Sequence, residues 1–545
     1  MTNEALPALG AATLCEAFQL TVEHNADATG LRTPGNEQAM TFGEWAAKVE
    51  RVAGGLAELG VGQGDTVALM TTNRPEFAIV DMAALHLGAT PFSIYNSSSP
   101  EQIEYLFGNA GNRIVIAEQQ FVEAIKAANA NLQIIVLEDG LPEADFPDFE
   151  ATWRAVEPAD IATLIYTSGT TGPPKGVQLT HANVVSTMRS YDEFGVFSPG
   201  GRTVSYLPLA HIADRALHYY SAVATGSTIT CIDSPTAVLA GLVDARPTSW
   251  LAVPRIWEKI KSALEVKGVT DPSGLPEETK AGIRAQLGLD QAEVLFSGAA
   301  PIAPSVLEFF NGLGIPVHEG WAMSETACAG TFNPIGHQRL GTIGVPIPGV
   351  ETKFAEDGEF LVRGPSIMVG YRNDTEKTAE AIDADGWLHT GDIVTVDEDG
   401  YVTIIDRKKE LIISAGGKNM SPANIEQTVK ASHALIGQAC CIGDSRPYNV
   451  ALLVLDPDAS AAYAAANGVD DSSPAALSQN PDVQALVAGA VEEANSRLSR
   501  VEQIKKFRIL DEDWLPDSEV LTPTSKLKRR GVNERYGDII EELYA

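Results

Sequence analysis

Short continuous apolar runs alternate with helically spaced apolar positions through the first third of the chain. Residues 67–71 read as a short strand, and 113–117 and 133–137 as buried strands. Between them, Thr41 followed by Glu44 forms a capping box that opens an amphipathic helix running to Gly60. A second helix is predicted over 77–87, and Ser99-Pro100 with Gln102 starts a third with proline in its first turn. The alternation continues through strands at 228–232, 250–253 and 294–297, the pattern of a doubly wound α/β sheet. From Gly341 to Ile405, glycine, proline and β-branched residues alternate in short runs, which predicts a small β-barrel-like unit. A charged string, Asp406-Arg407-Lys408-Lys409, then precedes a last segment with its own strands and an Ala-rich helical stretch over 461–495. The predicted class is α/β. A large N-terminal unit of doubly wound sheets plus the barrel-like unit covers 1–405, a joint 406–409, and a smaller α+β unit 410–545.

Composition narrows the function. A chain of 545 residues with 44% apolar content is large enough for more than one domain and an ordinary core. The net charge of −33 argues against a nucleic-acid surface, because phosphate backbones are repelled at long range. Five irregularly spaced cysteines, with Cys440 and Cys441 adjacent, fit neither a redox CxxC nor a zinc motif. They read as buried, reduced thiols of a cytoplasmic protein. The first twenty residues carry Glu4 and Glu16 and no basic stretch, so no secretory leader is expected. No run of 18 apolar residues occurs, so no membrane span is predicted, and peripheral membrane contact stays open. Any polyanionic ligand of so acidic a chain needs locally gathered cations. Lys526, Lys528, Arg529 and Arg530 form one candidate cluster.

The densest chemical signal is Thr167-Ser168-Gly169-Thr170-Thr171-Gly172-Pro173-Pro174-Lys175-Gly176, directly after the apolar run 161–166. Its three glycines let backbone N–H groups converge on a ligand, its four hydroxyls add donors, and Lys175 adds charge. It is not a Walker A loop, since Pro174 stands where that motif needs its second glycine. The string resembles the signature of the adenylate-forming superfamily, which includes acyl-CoA synthetases, firefly luciferase and peptide-synthetase adenylation domains. The resemblance implies that the loop clasps the β- and γ-phosphates of ATP.

Further strings extend the resemblance along essentially the whole chain. Gly298-Ala299-Ala300-Pro301 and Glu319-Gly320-Trp321 correspond to the family's adenine and acyl pocket linings. Trp321-Ala322-Met323-Ser324-Glu325-Thr326 is similar to the aromatic-Gly-x-Thr-Glu motif, with Ala322 for the usual glycine and Ser324 for the usual threonine. A carboxylate beside a triphosphate needs a cation between them, so Glu325 is expected to hold Mg²⁺ together with Thr170. Asp392, in Trp387-Leu-His-Thr-Gly-Asp392, is expected to accept hydrogen bonds from the ribose hydroxyls. Arg407 is expected near the ribose and α-phosphate, and Lys409 at the hinge of a mobile C-terminal domain. Gly364-Pro365-x-x-Met368-x-Gly370-Tyr371 is a further family string, read as structural.

The segment Leu521-Thr522-Pro523-Thr524-Ser525-Lys526 resembles the terminal motif that carries the catalytic lysine, which places Lys526 in that role. Gly417, in Ser414-Ala-Gly-Gly-Lys418, would let the pantetheine arm of coenzyme A pass. His211 stands where the family has an aromatic gate between acyl and pantetheine channels. Pro208-Leu-Ala-His211 and Val253-Pro254-Arg255-Ile256-Trp257-Glu258-Lys259 resemble the long-chain fatty acid class. The implied reaction activates a fatty acid as acyl-AMP and transfers it to coenzyme A, a long-chain fatty acid–CoA ligase activity. The nearest rival is a fatty acyl-AMP ligase that delivers to a carrier protein. A luciferase-like oxygenase and a non-catalytic nucleotide-binding protein are more distant ones.

Overall fold

The computed structural model describes residues 7–129, 131–167, 173–413, 419–515, 518–522 and 526–545. Among these, the largest sheet has seven strands. Their order is Gly370–Tyr371, Lys175–Thr180, Ile161–Thr167, Thr90–Ser93, Thr66–Met70, Ile114–Ala117 and Gln133–Val136. The five strands from Ile161–Thr167 to Gln133–Val136 run parallel, and the first two add antiparallel pairs at the edge. Gln133–Val136 is the opposite edge, so it is only partly buried rather than a buried strand. The predicted starts hold: Thr41 and Ser99 both form complete capping boxes, the latter opening the helix Pro100–Ala110.

A second sheet runs Ser249–Ala252, Val294–Ser297, Val317–Ala322, Gly330–Phe332 and Val345–Pro346, parallel for its first three strands. One contiguous apolar core, from Leu9 to Val402, joins these sheets to the smaller sheet that contains Thr228–Cys231. The expected barrel-like stretch is built on an antiparallel sheet of Glu351–Phe354, Glu359–Arg363, Leu388–Val396 and Val402–Arg407.

Residues beyond Ile412 form cores of their own. The strands Ile436–Ile442, Asn449–Leu455 and Ile504–Ile509 make a sheet covered on both faces. Strand alternation sends Ala439, Cys441, Ala451 and Leu453 into one core, and Cys440, Val450 and Leu452 into the other. The adjacent cysteines therefore point to opposite faces, and all five cysteines are free and buried. The Ala-rich stretch is helical, as three helices: Pro457–Asn467, Pro474–Ser478 and Pro481–Arg497. Gly468 at φ 65° stops the first, and Ser473 and Asn480 cap the next two.

Arg529, three residues after Lys526, ties the chain there to this segment through an ion pair with Glu426. Arg529 Nη1 and Nη2 reach Glu426 Oε1 and Oε2 at 2.6 and 2.8 Å, and the Cys441 N–H donates to the same carboxylate at 2.7 Å. Glu426 is buried in the helix Pro422–Ser432. Arg529→Met leaves that carboxylate buried without its cation. It is expected to destabilise the C-terminal segment by about 3–5 kcal/mol. Denaturant unfolding, with amide exchange over Pro422–Ser432, measures the loss.

Candidate active site

The strands Ile161–Thr167 and Lys175–Thr180 form a hairpin that pairs Thr167 with Lys175. The turn between them, with Ser168, Gly169, Thr170, Thr171 and Gly172, lies outside the described residues. Beyond the turn the chain continues as a strand, in keeping with a loop that is not of Walker A type. Gly370–Tyr371 pairs alongside this strand, with Tyr371 opposite Val177. Lys175 Nζ donates to Tyr371 Oη at 3.0 Å, and Tyr371 Oη donates to Glu325 Oε1 at 2.9 Å. The phenol thus links the loop cation to the acid. Burial lowers the Lys175 pKa, and Glu325 pulls the other way.

Glu325 sits in the 3₁₀ turn Ser324–Thr326, just beyond the strand Val317–Ala322. Its side chain is buried, and its carbonyl accepts from the Met368 N–H at 2.8 Å. The string 364–371, expected to be structural, therefore grips Glu325 twice, once through backbone and once through Tyr371. Sequence reasoning missed Tyr371 as a site residue. The available signal was an aromatic hydroxyl at the end of a family string. A buried carboxylate with one oxygen already fixed by a phenol fits Mg²⁺, which keeps several of its waters and needs few protein ligands.

Three strands converge on Asp392. Its Oδ2 accepts from Trp321 Nε1 at 2.8 Å, and Arg407 Nε stands 2.8 Å from Oδ1. Asp392 and Arg407 face each other across antiparallel strands. Burial raises the Asp392 pKa, and Arg407, Trp321 and Lys526 oppose that rise. Gly298, Ala299 and Ala300 follow the strand Val294–Ser297, and Ala299 holds φ 67°, a left-handed conformation that side chains disfavour. Gly320 lies beside Trp321 in the strand Val317–Ala322. The Glu319 carboxylate accepts from the Gly341 N–H at 3.1 Å, and burial pushes it up to about 7.

Lys526 faces this centre. Its side chain reaches solvent, yet surrounding protein strips enough hydration to lower its pKa. The charge of Arg407 lowers it further, while Asp392, Glu325 and Glu410 act to raise it. His211 is close enough to feel the Lys526 charge, and lost hydration is the larger cause that pushes it down to about 3. His211 Nδ1 accepts from the Ala213 N–H at 3.2 Å, so the ring is neutral and carries its proton on Nε2. Lys409 is exposed, and its charge acts on Lys175.

The basic cluster expected at 526–530 does not act together. Arg529 is committed to Glu426, Arg530 pairs with Glu534 at 2.7 Å, and Lys528 Nζ donates to the Ser518 carbonyl at 2.9 Å. Of the four, Lys526 is the one placed toward Asp392 and Glu325. The turn 414–418 with Gly417 lies outside the described residues.

The family described as AMP-binding enzyme matches residues 18–372, and the AMP-binding enzyme C-terminal domain matches 409–545. A Mycobacterium tuberculosis protein provisionally named fatty-acid CoA ligase fadD11 is 47% identical, over 74% of this chain and 76% of its own length. The long-chain-fatty-acid CoA ligase FadD15 of Mycobacterium bovis is 34% identical, over 93% and 92%. Among solved structures, O-succinylbenzoate coenzyme A synthetase from Bacillus subtilis, in complex with ATP and magnesium ion, superposes with TM-score 0.74. It is 24% identical and covers 94% of this chain and 98% of that one. That likeness establishes a shared fold.

Tyr371→Phe removes the group that separates Lys175 from Glu325, so the two charges can pair directly and compete with a cation. The Mg²⁺ concentration that half-saturates ATP binding is expected to rise roughly tenfold, the cost of losing one hydrogen bond to a charged group. Calorimetric titration of ATP at a series of Mg²⁺ concentrations, with an unchanged melting temperature as control, checks it.

Proposed function

This chain belongs to the AMP-binding enzyme family, and from that premise we propose that it activates a fatty acid with ATP and passes the acyl group to coenzyme A, releasing AMP and pyrophosphate. The observation that carries the reading is the convergence of Trp321, Arg407 and Lys526 on Asp392, beside the Lys175–Tyr371–Glu325 chain. The names of its relatives support the fatty acid and the thiol acceptor.

In this reading the fatty acid carboxylate attacks the α-phosphorus of ATP, and pyrophosphate leaves in line. The hairpin turn with Ser168, Gly169, Thr170, Thr171 and Gly172 cradles the β- and γ-phosphates, and Lys175 stands at its exit. Glu325 and Thr170 would hold Mg²⁺, which would neutralise charge on the triphosphate oxygens. Lys526 meets the charge that builds at the α-phosphate and the attacking carboxylate. Asp392 takes the ribose hydroxyls, with Arg407 held alongside, and Gly298, Ala299, Ala300, Gly320 and Ser324 line the adenine side. In the second step the coenzyme A thiol attacks the adenylate carbonyl, the bond to AMP breaks, and AMP departs. We take 1–405 as the fixed core and 410–545 as the moving domain. The hinge is 406–409, with Lys409 its pivot, and Gly417 would enter the site as Lys526 leaves. A neutral His211 suits a gate between acyl and pantetheine channels, because an uncharged ring costs less to desolvate than an imidazolium. We place the enzyme in the cytoplasm. No helix among the described residues is long and apolar enough to cross a membrane.

ATP–pyrophosphate exchange with a panel of acids tests the adenylation step. AMP release with and without coenzyme A separates a CoA ligase from a carrier-dependent one. Lys526→Ala should slow exchange by about 10²–10³-fold and spare thioester formation from supplied acyl-AMP; equal losses in both steps would refute the role. Only the protonated amine stabilises the developing charge, and its pKa is lowered. The exchange rate should therefore fall, as pH rises, through a pKa below the ordinary lysine range. Lys409→Pro should give the converse split, with exchange retained and thioester formation lost, when the two steps are assayed apart.

A further inference from the structure

The helix Pro254–Val266 bears the string around Trp257 that the proposed chemistry leaves unused. Trp257 is fully buried, with its ring edge-on to Trp250 at 5.3 Å and to Phe310 at 5.0 Å. That anchor fixes the helix's rotation. Arg255 and Lys259, four residues apart, then share its outward face.

Across from this face stands the start of the helix Pro457–Asn467, which follows the strand Asn449–Leu455 of the C-terminal sheet. Arg255 pairs with Asp456, and Lys259 Nζ lies 2.6 Å from Asp458 Oδ2. Asp456 is held for the purpose. Its Oδ1 caps the helix by accepting from the Ala459 N–H at 2.8 Å, and its side chain is buried. Asp513, also in the C-terminal segment, feels the Arg255 charge. Two basic residues anchored in the large core thus meet acids of the segment that carries Lys526, well away in sequence from the 406–409 joint.

We propose that Arg255 and Lys259 are positioning residues for acid activation: their pairs with Asp456 and Asp458 latch the C-terminal segment where Lys526 faces Asp392 and Glu325, and they part when the thiol step begins. The inference rests on the proposed function. Neither residue is placed at the reacting atoms. A latch of this kind must act oppositely on the two half-reactions, which a merely structural contact does not.

The double reversal Arg255→Glu with Lys259→Glu replaces two attractions by repulsions. ATP–pyrophosphate exchange is expected to fall about tenfold, the combined effect of two weak ion pairs. Thioester formation from supplied acyl-AMP is expected to stay the same or rise. The exposed swap Lys259→Asp with Asp458→Lys should restore exchange toward that of the native protein, relative to Lys259→Asp alone. Equal loss in both half-reactions, unchanged exchange after the double reversal, or no rescue by a swap that melts like the native protein, would each overturn the latch.

A readout free of catalysis keeps the latch separable from the proposed function. All native cysteines are buried, so spin labels can be directed to Val266→Cys and Leu486→Cys, both at exposed positions on opposite sides of the joint. The native background should give one narrow distance distribution, and the double reversal a broad or shifted one. Identical distributions would overturn the latch even in an active enzyme. A shift without any acid-dependent exchange in the native background would sustain the latch and sink the fatty acid reading.

Discussion

A buried carboxylate organises the centre of this molecule. Asp392 is removed from water, which disfavours its charge, and two donors from separate strands offset that cost: the Trp321 indole and the Arg407 guanidinium. The second sheet is thereby tied to the antiparallel one that leads to the joint. Arg407 is the last residue of that final strand, and Asp406 before it turns to the other side. Asp406 Oδ2 accepts from Ser421 Oγ at 2.6 Å and the Ala423 N–H at 3.2 Å, at the start of the helix Pro422–Ser432. Neighbouring residues of one strand thus bind the Asp392 carboxylate and the first helix of the C-terminal segment. Whatever moves that segment acts next to Asp392.

The same crowding resolves the difficulty that net charge posed. A chain at −33 repels polyanions as a whole, but Lys175, Arg407, Lys409 and Lys526 act on one region. Lost hydration lowers the pKa of both Lys175 and Lys526, and a neighbouring cation adds to it in each case. Such a cluster is strained by its own repulsion until negative charge arrives, and electrostatics prearranged in this way costs no reorganisation at the moment of reaction. Within the cluster Arg407 pairs directly with Asp392, while the Tyr371 phenol stands between Lys175 and Glu325.

What was legible in the sequence was local or carried by family strings. Thr41 and Ser99 could be read as caps because a capping box spans four residues. The alternating strands and the family membership were legible for the same reason. The helical character of the Ala-rich stretch was legible, and Gly468 marks its first break. Contacts across long separations were not legible. Tyr371 meets Lys175 across 196 residues, and Arg529 meets Glu426 across 103. No periodicity encodes such pairings. The run at 526–530 looked like one basic patch because sequence shows charge without showing the acids that claim it.

The two kinds of ion pair in the C-terminal segment divide its mechanical work. Arg529 and Glu426 are largely buried and bidentate, and removing one partner of such a pair costs about 3–5 kcal/mol, so the chain just after Lys526 is held firmly to the C-terminal segment. Arg255 and Lys259 are partly exposed; the Lys259–Asp458 pair is open to solvent, where such pairs are worth about 0.2–1 kcal/mol, while Arg255 meets the buried Asp456 and that pair is less screened. Two pairs of that size bias an orientation by roughly two- to thirtyfold. An apolar interface would not serve as well: at about 25 cal/mol per Å², a few hundred Å² would hold the segment in one orientation through both steps. A ligand can shift an equilibrium only by its differential affinity for the two states. On the proposed mechanism, pyrophosphate release and coenzyme A binding would overcome a partly screened latch more readily than a fully buried one.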